Sequence, residues 1–276
     1  MSERFPPIDA AAARRRFSRA AQSYAKAARL ETEAGTRMLE RLDYVKIAPQ
    51  RIVDAGSGPG RDARALAARY RGAQIVLVDF ALPMLPRPGL LGRWLGAPLL
   101  SVCGDFGRLP LAAQSVELVW CNMALHWASD PLAVFREFER VLAPEGLLMF
   151  STLGPDTLKE LRAVAGAARV HAFIDMHDLG DMLVAAGLSA PVMDMELLTM
   201  EYGSGSRLLD DLRASGQTNA RADRARGLSG RKFGARLRSG LGGALRTTYE
   251  VVYGHAWKRP ATDAAVKTVR VFKRIP

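Results

Sequence analysis

Residues 51–70 read RIVDAGSGPGRDARALAARY. A short apolar strand runs into three glycines, Gly56, Gly58 and Gly60, and then into a stretch with the alanine, leucine and arginine content of a helix. Strand, glycine-rich turn and helix in that order open a doubly wound α/β fold, and the turn lets backbone N–H groups approach a ligand closely. Working outward, the apolar runs at 73–80 (AQIVLVDF), 99–106 (LLSVCGDF), 116–123 (VELVWCNM) and 146–153 (GLLMFSTL) predict four further strands. Each is nearly continuous in apolar residues, as in strands covered on both faces. PLAVFREFERVL at 131–142 is an amphipathic helix between the fourth and fifth of these strands. Alternating strands and helices with right-handed crossovers give a doubly wound parallel sheet. Further on, 176–188 reads as a helix, 192–202 as a strand and 247–257 as a last strand of β-branched and aromatic character. Upstream, 11–42 lacks proline and repeats its apolar residues at helical spacing, which predicts one or two helices. No internal repeat is visible. Residues 1–276 are expected to form a single domain, with 11–42 as an N-terminal helical lid and 203–246 as a basic insertion before the last strand.

The 276 residues are 49% hydrophobic and 24% charged, which fits a globular chain with a buried core and excludes wholesale disorder and fibrous architectures. Two cysteines, Cys103 and Cys121, exclude a disulfide framework and a cysteine zinc site. Both fall in apolar runs and are expected as small buried core residues on adjacent strands, in a reducing compartment. No run approaches the roughly 18 apolar residues of a membrane span, and the basic N-terminus has no apolar stretch behind it, so a cytoplasmic location is expected. The formal net charge is +11. Such an excess calls for an anionic partner: nucleic acid, membrane or an acidic protein. Residues 203–246 hold ten Arg or Lys against Asp210, Asp211 and Asp223, so most of the excess lies in that segment.

The glycine spacing departs from the dinucleotide fingerprint, because the place of its third glycine, three residues after Gly58, is taken by Arg61. Asp54, two residues before Gly56, would repel a pyrophosphate and attract an ammonium or hydroxyl group. Asp79 ends the second strand, nineteen residues after Gly60, where a carboxylate can accept both hydroxyls of a ribose. Asp105 follows the third strand beside Phe106, placed for an adenine amino group and ring. With Ser57 and Gly58 in the turn, acidic strand ends around glycines describe S-adenosylmethionine, with its cationic sulfonium, zwitterionic tail and free ribose hydroxyls. Taken singly, each aspartate is equally a helix cap or a turn residue.

With these residues in place the chain resembles the class I S-adenosylmethionine-dependent methyltransferases. Within them it resembles the malonyl-acyl-carrier-protein O-methyltransferases of biotin biosynthesis. The finer resemblance rests on FSRAAQSYAKAARLE (17–31), STLGPDTLKEL and FIDMHDLGDML. It implies a Rossmann-like sheet of seven strands, mostly parallel with an antiparallel last strand, under an N-terminal helical cap. Ser57 and Pro59 stand where the family commonly has Cys and Thr, and Glu31 where it often has Gln. The proline-rich stretch at 83–100 is longer than the family leads one to expect. A related branch of arginine hydroxylases keeps fold and cofactor but not the reaction.

The resemblance implies methyl transfer to the free carboxylate of a malonyl thioester. That carboxylate is already ionised at neutral pH, so no general base is required and alignment is the main contribution. Tyr24 is the candidate for a lid over the methyl group, with a buried helix aromatic as the alternative account. Asn122, His126 and Trp127 follow the fourth strand at the ligand-binding edge, where Asn122 would hydrogen-bond cofactor or substrate and Trp127 would wall the pocket. His126 reads more readily as hydrogen-bonded structure, and Thr152 faces the same edge. No metal-ligand set is proposed. The expected partner is acidic malonyl-acyl carrier protein, docking through 203–246 with Arg231, Lys232, Arg236 and Arg238 as contacts. The competing readings are another small-molecule enzyme on the same fold, an arginine hydroxylase-like one included, and an RNA methyltransferase. Against the latter, the basic segment has Phe233 as its sole ring of the Phe, Trp and Tyr class, and NMALHW lacks an amino-methylating Asn-Pro-Pro-aromatic motif. Neither nucleic acid nor membrane is expected as a partner.

Overall fold

The computed structural model describes residues 7–86, 99–225, 227 and 230–261. Two helices, α1 (Ala10–Ala27) and α2 (Arg29–Arg41), precede β1 (Arg51–Ala55), α3 (Arg61–Arg69), β2 (Gln74–Asp79) and β3 (Leu99–Cys103). Then come β4 (Val116–Cys121), α4 (Pro131–Val141), β5 (Leu142–Leu153), α5 (Lys159–Ala165) and α6 (Met176–Ala185). The chain closes with β6 (Leu188–Tyr202), α7 (Gly205–Ala214), α8 (Arg231–Gly240) and β7 (Leu245–Lys258). The strands form one sheet in the order β3-β2-β1-β4-β5-β7-β6. The first five pair in parallel, and β7 runs antiparallel to both β5 and β6. The strand order reverses between β1 and β4, and in open α/β sheets the ligand crevice lies outside the carboxyl ends at such a reversal.

Alternation along the central strands divides the core between the two faces. Ile52, Leu118 and Trp120 pack on one side with Leu66, Ile75 and Met38, while Val53, Val119 and Cys121 pack on the other with Phe135, Phe138 and Phe150. Helix α4 begins at Pro131 with Asp130 capping Ala133 N–H, and its apolar stripe of Val134, Phe135, Phe138 and Val141 is buried. Helix α1 is capped in the same way by Asp9, whose Oδ1 accepts from Ala12 N–H at 2.9 Å. Among the described residues, no helix is long and apolar enough to cross a membrane.

Two expectations change. Among the described residues, the apolar run of β3 is not covered on both faces: β3 is an edge strand with one sheet neighbour, and Leu100 and Cys103 are exposed. Cys121 is buried as expected, but the two cysteines are not on adjacent strands, because β2 and β1 lie between β3 and β4. The other edge, β6, likewise leaves Val192 and Leu197 exposed. The longer stretch expected at 83–100 falls for the most part, over 87–98, outside the described residues.

Candidate active site

The turn between β1 and α3 has three positive φ angles, +79° at Gly56, +52° at Gly58 and +73° at Gly60. At Gly56 glycine is required on two counts, since a Cβ there would stand 2.3 Å from that of Ala124. The turn is tied to β2 by Gly56 N–H and Ser57 N–H, which donate to the Val78 carbonyl at 2.8 and 3.1 Å. Asp79 extends this tie: its Oδ2 accepts from Gly58 N–H at 2.9 Å and its Oδ1 from Ala81 N–H at 2.8 Å. Burial pushes its carboxyl up to about 6 despite these two donors.

Against the turn lies a cavity of about 200 Å³ lined by Tyr24, Glu31, Asp54, Ser57, Asp62 and Asn122. Asp54 is buried at the end of β1, and its carboxyl is raised well above the ordinary value by burial and then by Asp62 and Asp79. Asp62 is held by Arg61 at 2.5 Å, by Trp120 Nε1–H at 3.2 Å and by Asn122 Nδ2–H at 2.8 Å. Asn122 also donates to the Glu31 carbonyl at 2.8 Å and accepts from Ser151 Oγ–H at 2.6 Å. Asp54 Oδ2 and Ser57 Oγ, by contrast, are buried with no hydrogen-bond partner among the described residues. An unsatisfied buried carboxylate oxygen is costly, and a cationic or hydroxyl-bearing ligand in this cavity would satisfy it. The donor and acceptor set therefore fits S-adenosylmethionine. Burial and then the charges of Glu31, Asp79, Asp62 and Asp54 raise the Tyr24 phenol well above its ordinary value, so Tyr24 keeps its proton.

Glu31 joins this cavity to a second one, also of about 200 Å³ and mainly apolar, lined by His126, Trp127, Leu158, Phe173 and Tyr249 among others. Glu31 is buried, accepts a short hydrogen bond from Gln217, and is pushed up to about 7, chiefly by burial. Burial and His171 lower His126 to about 3; burial and then Arg16 and Arg221 lower His171 to about 4. Both imidazoles are neutral near pH 7. His126 Nδ1 lies 3.4 Å from Thr152 Oγ1, and His171 Nε2 accepts from Ala220 N–H at 2.8 Å. Trp127 Nε1–H is buried without a partner among the described residues. The arginines lining this cavity are Arg169 and Arg213.

Tyr24, Asp54, Gly56, Ser57 and Asn122 therefore meet in the first cavity, with Trp127 and His126 in the second. Asp79 stands just behind the glycine turn rather than in the cavity lining. Asp105 folds back to accept from Gly107 N–H at 2.8 Å, and Phe106 is buried with its ring 6.4 Å from that of Phe138. Sequence reasoning missed Asp62 and Gln217. The first carries no motif of its own, and the second reaches Glu31 from 186 residues further along the chain.

Residues 53–150 match a family model described as a methyltransferase domain. A malonyl-acyl-carrier-protein O-methyltransferase from Methylovorus sp. (strain MP688) is 50% identical over 271 residues, covering 93% of this chain and 92% of that protein. The enzyme of the same name from Gallionella capsiferriformans (strain ES-2) is 49% identical over 265 residues, 91% of each chain. Among solved structures, the YcgJ protein of Bacillus subtilis aligns with a TM-score of 0.58 at 19% identity, over 80% of this chain and 97% of that one. Phosphoethanolamine N-methyltransferase 2 of Haemonchus contortus, in complex with S-adenosylhomocysteine, gives a TM-score of 0.50 at 18% identity, over 82% of this chain and 52% of that one. These last two share the fold. Identity near one half along nearly the whole length goes further, and with it this chain belongs to the malonyl-acyl-carrier-protein O-methyltransferase family.

Proposed function

We propose that the chain methylates the free carboxylate of a malonyl group carried as a thioester on acyl carrier protein, using S-adenosylmethionine, in the early part of biotin synthesis. The observation that carries this reading is the meeting of two cavities at Glu31. One holds Glu31, Asp54 and Asp62 beside Arg61 and Arg64, with a buried Asp54 oxygen left for a cationic or hydroxyl group; the other is mainly apolar and free of ionised histidine.

S-adenosylmethionine supplies an electrophilic methyl group on a cationic sulfur. Asp54 and Ser57 would hold its polar groups and Asp79 would fix the glycine turn beneath it. The acceptor oxygen is already anionic, so no residue has to remove a proton. That agrees with a site whose histidines are neutral and whose tyrosine stays protonated. What remains for the protein is to align the acceptor with the methyl and to exclude water. Helix α1 helps to exclude water, since Phe17 packs edge-on against Trp127 with ring centroids 4.9 Å apart and against Phe80 at 5.9 Å. Trp127 Nε1–H is an available donor for the acceptor carboxylate. Two free thiols, Cys103 and Cys121, accord with a reducing cytoplasm.

The test is incubation with methyl-labelled S-adenosylmethionine and, separately, malonyl-acyl carrier protein, malonyl-coenzyme A, an arginine peptide and bulk RNA. Label in a base-labile ester on the malonyl group is the expected result. Label in RNA alone, or a hydroxylated peptide, would overturn the reading.

A further inference from the structure

Beside the acceptor cavity lies a polar one of about 590 Å³ that methyl transfer itself does not use. Arg15 and Arg16 of α1, Arg169 and Arg224 line it, with Asp9 as the carboxylate among its lining residues. Arg169, Thr218 and Asn219 line both cavities, so the basic one is a vestibule to the other.

Among the described residues, four arginines and one carboxylate line this vestibule. Both oxygens of Asp9 are committed, Oδ1 to Ala12 N–H and Oδ2 to Arg224 at 2.9 Å. Arg16 is half-buried and spends one N–H on the Thr218 carbonyl at 2.7 Å. Arg15 is exposed beside it. Holding several guanidinium groups together is costly unless an anion lies among them, and their forked N–H geometry matches phosphate oxygens. The polar flank of Thr218 and Asn219 leads from there into an apolar cavity that ends at Glu31.

We propose that this vestibule binds the phosphodiester of the phosphopantetheine arm that presents the acceptor. The arm would thread the apolar cavity so that its terminal carboxylate reaches the cofactor side. The inference rests on the malonyl-thioester reading and deepens it: recognition is shared between the reacting carboxylate and a phosphate at the far end of the same arm. It also gives the lid a role in substrate binding, because α1 supplies two of the arginines. A nucleic-acid backbone is a poorer match, since it would need an open basic stripe with stacking rings rather than a pocket opening on an apolar cavity.

The experiment compares malonyl-phosphopantetheine with malonyl-pantetheine, which lacks only the phosphate, as acceptors for the full-length protein. The wild type is expected to show a KM at least about tenfold lower for the phosphorylated compound, the order given by charge-assisted hydrogen bonds. In Arg15→Gln and in Arg15→Gln/Arg224→Gln the ratio of the two KM values should fall towards one, with calorimetric titration of S-adenosylmethionine reporting that each variant is folded. Equal KM values in the wild type, or a ratio that survives in both variants, would overturn the proposal, and the wild-type comparison holds whatever the variants do. A wild type that methylates no malonyl thioester at all is a different result. It would remove the substrate reading, and this inference with it.

Discussion

At Asp54 the proposed cofactor binding and stability pull in opposite directions. The residue is a buried carboxyl beside Asp62 and Asp79, with one oxygen unsatisfied, and such a group costs folding free energy in the absence of a cation. Asp54→Asn should therefore raise the melting temperature of the cofactor-free protein while weakening S-adenosylmethionine about tenfold to a hundredfold, or roughly 1.4–2.8 kcal/mol. Calorimetry and thermal unfolding of the same variant check both halves. Equal losses of stability and affinity would make Asp54 structural.

Glu31 contributes to the pH dependence. Its folded-state value of about 7 lies above the ordinary 4.5, so between those limits the native state holds a proton that the unfolded state releases. The stability this group contributes is thus complete below about 4.5 and is lost as pH rises through about 7. The separation corresponds to about 3 kcal/mol. Glu31→Gln keeps the shape without the titration, so relative to the wild type it should gain about that much between pH 4.5 and pH 8 in urea unfolding. A constant difference across the range would show that Glu31 is ionised in the folded protein. Residue by residue, Asp54, Tyr24 and Asn122 were legible because each stands at a strand end or within a recognisable segment. Asp62 and Gln217 were not, because their roles arise only when α3, β4 and a distant loop come together.

Among the elements, the glycine turn, α4 and the central strands were readable from local pattern, since periodicity and capping residues agree there with the tertiary environment. Edge strands were not. An apolar run such as LLSVC is compatible with a central or an edge position, and sheet order is set by long-range pairing that sequence periodicity does not encode. Residues 11–42 were expected as a helical lid, and we propose that role for helix α1. Tyr24 lines the first cavity near Gly58 while Phe17, two turns earlier, packs against Phe80 and Trp127. Removing only the Tyr24 hydroxyl leaves this packing intact. Tyr24→Phe should therefore lower turnover by about tenfold while changing cofactor affinity by less than about threefold, because a closing element acts on alignment more than on ground-state binding. Steady-state kinetics beside calorimetry separate the two. An equal loss in both would make Tyr24 a cofactor ligand.

For the molecule as a whole, the +11 charge has to be reconciled with a fold whose first cavity is lined by Glu31, Asp54 and Asp62 beside Arg61 and Arg64. Most of the positive excess lies in 203–246, which holds ten Arg or Lys against three Asp. In that segment α8 packs Phe233 and Leu237 against the core, and Arg169 stacks on the Phe233 ring at 4.4 Å. Arg236 is partly engaged in structure, donating to the Ala165 carbonyl at 3.3 Å and lying 5.5 Å from the Phe233 ring, and the side chain of Arg238 lies outside the described residues. That leaves Arg231 and Lys232, exposed on the first turn of α8, as the clearer probes of an acidic partner. Their position is informative, because cations at a helix N-terminus oppose its dipole and acidic residues there would stabilise it. Arg231→Glu/Lys232→Glu should thus leave the helix intact or slightly firmer, so a loss of carrier binding cannot be ascribed to unfolding. The variant is expected to raise the KM for malonyl-acyl carrier protein about tenfold at low salt and less as ionic strength rises, since steering by exposed charge is screened. Malonyl-coenzyme A, which lacks the acidic protein body, should respond far less. If both substrates weaken together, α8 shapes the acceptor cavity rather than receiving a protein; if neither does, the carrier approaches by another face.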